Sequence, residues 1–67
     1  MRRNVAVFSD SSGTLKMGEY PSHLMGELVH GMTDQELLHH ARTWLVMSGR
    51  LTSDEAAGLY LAVVEGG

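Results

Sequence analysis

Apolar and polar positions along this chain fall into four stretches, each with its own period. Residues 3–8, RNVAVF, and 14–20, TLKMGEY, are short and bracket the polar loop SDSSG, which predicts a β-hairpin over 3–20. Gly18 weakens the second strand. Pro21 ends it, because proline brings no amide donor but suits the first turn of a helix. From there Leu24, Met25, Leu28, Val29 and Met32 recur at helical spacing, with His23, Glu27 and His30 on the opposite stripe. This predicts a short helix over 21–31, closed by Gly31.

The third stretch opens on TDQE, where Thr33 and Glu36 are spaced for a capping box. Leu37, Leu38, Ala41, Trp44, Leu45 and Ser48 follow as one stripe, and Gly49 suits the left-handed residue after a helix, so a helix is expected over 33–48. TSDE repeats the start signal at Thr52 and Glu55, and Asp54 and Glu55 suit the positive end of a helix. A last helix is therefore expected over 52–65. The short connection would fold the two helices back as an antiparallel C-terminal helical hairpin. The fold class expected is α+β and mainly helical, in a single small domain over 1–67.

The final stretch is the unusual one. Leu59, Tyr60, Leu61, Ala62, Val63 and Val64 would be apolar at nearly every angle around a helix axis, and such a helix is normally buried on all sides. A chain of 67 residues has little to wrap it with, since a domain of this size hides only ~60% of the surface its unfolded chain exposes. The favoured expectation is a homodimer or partner-bound surface. The alternatives are a helix wrapped by its own chain, or a final strand, because LYLAVV is also good β sequence.

Composition narrows the setting. There is no cysteine, which removes disulfides and thiolate metal sites. The longest apolar run, Leu59 to Val64, is far below the ~20 residues of a membrane helix. Asp10, Ser11 and Ser12 interrupt what would be the apolar part of a secretion signal after Arg2 and Arg3, so a cytoplasmic protein is expected. Isoleucine is missing, and Lys16 and Asn4 are the only residues of their kinds, a composition that suits a GC-rich bacterial or bacteriophage genome.

Charge is divided along the chain. Up to residue 18, Arg2, Arg3 and Lys16 stand against Asp10. Beyond it, Arg42 and Arg50 stand against Glu19, Glu27, Asp34, Glu36, Asp54, Glu55 and Glu65, which gives the net −3 of the whole. Most of this surface would repel phosphate backbones.

Three motifs invite chemistry. Asp10, Gly13, Thr14 and Leu15 in FSDSSGTL resemble the first motif of haloacid-dehalogenase-like phosphatases. That family needs a second aspartate where Ser12 stands, and a doubly wound domain well over twice this length. The residues themselves read as a polar turn bonding local backbone. His23, Glu27 and His30 at i, i+4 and i+7 could converge on a metal, although one exposed helix brings no fourth ligand. They read first as a solvated face. His39 and His40 point about 100° apart, and Glu36 with His40 reads as a surface pair. No cofactor is implied.

Two function classes follow. The favoured one is a small non-enzymatic interaction or regulatory protein, with a protein partner or itself, binding through Trp44, Leu59, Tyr60, Leu61, Val63 and Val64. The alternative is a dimeric DNA-binding regulator or antitoxin touching phosphates with Arg2, Arg3 and Lys16. Strand, glycine turn, strand and YPSHLMGEL are loosely similar to the swapped-hairpin antitoxins, without the basic residues expected after the proline.

Overall fold

Val5 and Val7 decide how the chain is layered. In the computed structural model, which describes residues 2–66, both are buried in the middle of the central strand of a three-stranded antiparallel sheet. Strand β1 (Arg2–Phe8) lies between β2 (Lys16–Pro21) and β3 (Tyr60–Gly66). Against β2 the register runs from Asn4 opposite Pro21 to Phe8 opposite Lys16, with a bulge-like shift between Val7 and Phe8. Against β3 it is unbroken, from Arg2 opposite Gly66 to Phe8 opposite Tyr60.

Side chains alternate across a strand, so this register sorts residues into two faces. Val5, Val7, Leu61 and Val63 face the helical layer, where they meet Met25, Val29, Leu37, Ala41 and Leu45 in one cluster. Leu37 and Leu45 are fully buried, worth ~1.5–3 kcal/mol each in area removed from water. They belong to helix α1 (Asp34–Met47), whose start is the capping box read from the sequence. Thr33 N–H donates to Glu36 Oε1 at 2.8 Å, and Glu36 N–H donates to Thr33 Oγ1 at 3.2 Å. Glu36 is held below its ordinary carboxylate range by these bonds to Thr33, the backbone one first. The helix ends in a Schellman motif: Gly49 takes φ +80°, Gly49 N–H donates to Val46 O and Arg50 N–H to Leu45 O.

Several expectations fail here. Among the described residues the molecule is not mainly helical, and there is no C-terminal helical hairpin. The segment 52–65 starts as a helix, with its capping box formed at Thr52 and Glu55, but α2 (Ser53–Gly58) stops after 6 residues. Leu59 then turns extended at φ −97°, ψ 154°, and the run from Tyr60 becomes β3. A short apolar run fits a buried strand as well as a helix, and β1 offered an unpaired edge that this run completes. The Arg42 guanidinium reinforces the switch by donating to Ala56 O and Leu59 O at the end of α2. The premise that this segment is a rod with too much apolar surface is therefore wrong: as a strand, it divides its side chains between two faces.

The helix expected over 21–31 is also absent. Two short 3-10 turns, Ser22–Met25 and Glu27–Gly31, stand in its place. Gly26 separates them at φ +115°, ψ 165°, a conformation that stops any helix and that essentially only glycine adopts. The apolar stripe splits accordingly. Met25 and Val29 are buried, whereas Leu24 and Leu28 are exposed. Among the described residues no helix is long and apolar enough to cross a membrane.

Candidate functional site

The sheet has two edges, and they are built differently. On the β2 edge Lys16 and Glu19 form an ion pair, and Asn4 Nδ2 donates to Glu19 Oε2 at 2.7 Å. These bonds, Lys16 first, hold the Glu19 carboxyl below its ordinary range despite its partial burial. A bulge, Gly18, Pro21 and this charge pair together make a poor template for another strand.

The β3 edge has none of these devices. Tyr60, Leu61, Ala62, Val63 and Val64 run uninterrupted, and Glu65 is the one charged residue of the strand. Among the described residues no strand pairs with its outer side. Its outward N–H and C=O groups are therefore a row of unused hydrogen-bonding positions. The face of the sheet turned away from the helices continues this apolar character. Phe8 and Tyr60 are cross-strand neighbours with ring centroids 6.3 Å apart. Ala6 pairs with Ala62, and Asn4 with Val64. That face stays partly open: Tyr60 is 43% exposed, and Phe8, Ala62 and Val64 are half-buried.

The residues singled out for partner binding do not form one patch. Tyr60 and Val64 lie on the open face, whereas Leu61 is buried and Val63 and Leu59 pack against the core. Trp44 is half-buried on the far side of the molecule, where it meets Tyr20 of β2 edge-on at 5.9 Å. The Arg50 guanidinium stacks over the indole at 4.6 Å, so that ring is already occupied within the chain. Phe8 and Gly66, which the sequence reading passed over, belong to the open face. Asn4, Ala6 and Phe8 alternate with Val5 and Val7, and that period-two pattern was the available signal.

The basic residues separate too. Lys16 pairs with Phe8 at one end of β1, and Arg2 and Arg3 begin the strand at the other, ~20 Å away at strand rise. Arg3 is tied to the rest of the fold. Its guanidinium donates to Val29 O at 2.7 Å, Met32 O at 2.8 Å and Asp34 Oδ1 at 3.0 Å, tying β1 to the second turn and to the start of α1.

With the 21–31 helix gone, the stripe of His23, Glu27 and His30 dissolves. His23 and His30 still border one cleft, with Arg2, Arg3 and Ser22, but Glu27 is not part of its wall. Among the described residues no group of three or more metal-capable side chains comes together. His40 does not pair with Glu36. Its Nε2 lies 2.7 Å from Met25 O, joining α1 to the first turn.

The loop resembling a phosphatase motif closes on itself. Asp10 Oδ1 accepts from Ser12 N–H at 3.0 Å and from the Ser12 hydroxyl, which also bonds Thr14 Oγ1. Gly13 takes the left-handed φ of +69° that this turn requires. Asp10 is thus engaged as a turn former. Comparison with known proteins returned no matching family, no similar curated protein and no similar solved structure.

Proposed function

We propose that this chain is a non-enzymatic interaction module whose working surface is the free edge of β3, and that the strand laid along it is β3 of a second copy. The observation that carries this reading is the edge of β3, five apolar residues from Tyr60 to Val64 without charge, proline or bulge before Glu65. Antiparallel pairing of two identical strands is two-fold symmetric, so one surface serves both partners.

A register centred on Val63 fits best. It sets Val63 opposite Val63 and Ala62 opposite Val64. It also sets Tyr60 opposite Gly66, where the ring covers backbone that glycine leaves bare. Glu65 falls opposite Leu61, and on its own protomer it stays opposite Arg3. Facing like charges are avoided. The two sheets become one of six strands, with a continuous open face of Phe8, Tyr60, Ala62 and Val64 from each copy. Each new backbone bond contributes ~0.5–1.5 kcal/mol net, and apolar contact on both faces adds to that.

Sedimentation velocity across a range of concentrations tests the reading. The chain sediments as a dimer that dissociates on dilution, and Val64→Lys sediments as a folded monomer by circular dichroism. A wild-type monomer throughout, or an equally dimeric Val64→Lys, overturns it.

A further inference from the structure

The cleft bordered by Arg2, Arg3, Ser22, His23 and His30 has a volume of about 380 Å³, toward the small end of ligand clefts. It lies at the end of the sheet where β1 begins and β2 gives way to the two turns. In a chain of net charge −3 it is lined by two arginines, two histidines and a serine, with no acidic residue. Every one of these groups donates hydrogen bonds.

The groups are also held differently. Arg3 is fixed by two carbonyls and by Asp34, which offsets its charge from behind. Arg2 is exposed on the strand's other face, free to close over a ligand. His23 and His30 arrive from separate turns on either side of Gly26. Two imidazoles can share a metal, but the arginines that border the cleft disfavour a cation and favour an anion. Arginine's planar fork matches the oxygens of phosphate in particular.

We infer that this cleft binds a phosphate monoester of a small molecule, with Arg2 closing on the phosphate oxygens, and Ser22, His23 and His30 donating from the turns. Arg2 and Arg3 of its wall pair with Gly66 and Glu65, so the cleft adjoins the end of β3, and every group invoked comes from one chain. Only the phosphoryl group is specified by these side chains.

Nuclear magnetic resonance titration tests it, with inorganic phosphate and glycerol 3-phosphate as probes and potassium chloride at matched ionic strength as control. Both phosphates produce saturable shifts at Ser22, His23 and His30, with the ester binding more tightly. Arg2→Gln weakens binding about tenfold or more, as loss of a charge-assisted hydrogen bond does, and His30→Ala weakens it several-fold. Lys16→Gln, at the far end of the sheet, leaves it unchanged. Shifts that follow ionic strength alike for chloride and phosphate overturn the inference. So do a response to zinc at both histidines without one to phosphate, and shifts of these residues by a short DNA duplex but by neither small phosphate.

Discussion

One edge of this sheet is guarded and the other is open. β2 carries an ion pair, a bulge and a terminal proline within 6 residues. β3 offers five consecutive apolar residues with no such interruption. Both strands flank the same central strand, so the contrast does not come from their place beside β1. It is written into the side chains. Small proteins that must stay apart blunt both edges, and a chain that blunts one has left a single route for strand addition.

The contrast can be broken most severely at the layer that carries both edges. Leu37 is fully buried in the cluster beneath the sheet, and Leu37→Ala removes ~2–5 kcal/mol, comparable with the low end of total stability for such domains at about 5 kcal/mol. Thermal melts by circular dichroism then show a chain largely unfolded at 37 °C, with both edges lost together.

Exchanging the character of the edges comes next. Val64→Lys brings two ammonium groups to diagonal positions across the proposed junction, ~7–8 Å apart, and weakens dimerisation on the order of a hundredfold. The reverse change sharpens the comparison. Replacing Lys16 and Glu19 by valine strips the guard from β2, and association then grows beyond the dimer because both edges become adhesive. Light scattering distinguishes these results.

Arg42→Ala has a smaller effect. It removes the guanidinium bonds to Ala56 O and Leu59 O that steer the chain from α2 into β3, at ~1.5–3 kcal/mol for hydrogen bonds to a charged group. Hydrogen exchange shows it as faster exchange of β3 amides than of β2 amides.

The smallest effect is that of pH on the guard itself. Glu19 titrates below its ordinary carboxylate range when folded, chiefly because it accepts from Lys16 and then from Asn4. A lowered folded value means its contribution is complete above the unfolded value and fades as pH falls through the folded one. Urea melts are therefore insensitive to this group above about pH 4.5 and lose its contribution below it. Glu19→Gln flattens that acid limb.

Local signals were legible in the sequence where one residue decides one geometry. Thr33 with Glu36, Thr52 with Glu55, and Gly49 after α1 each act within a turn, and each is formed as its spacing indicates. Failures came where distant segments compete. The start at Thr52 is a true helix start and Gly58 is a local stop, but the partner that makes Tyr60 to Val64 a strand is β1, more than fifty positions earlier in the chain. Gly26 misled in the other direction. Its neighbours keep helical spacing, but its own φ and ψ break the run. The candidate edge was visible only in part. Tyr60 and Val64 stood out as apolar, while Phe8 and Gly66 gain meaning only once the register is known.

The pairing of β3 with a second β3 has one direct reporter. Tyr60 and Gly66 stand at opposite ends of the same strand, ~20 Å apart within one chain, too far for magnetisation to pass between them. The account predicts a nuclear Overhauser effect from the Tyr60 ring to the Gly66 α-protons that weakens on dilution and disappears in Val64→Lys. Its absence at concentrations where the wild-type chain is dimeric would contradict the proposed junction.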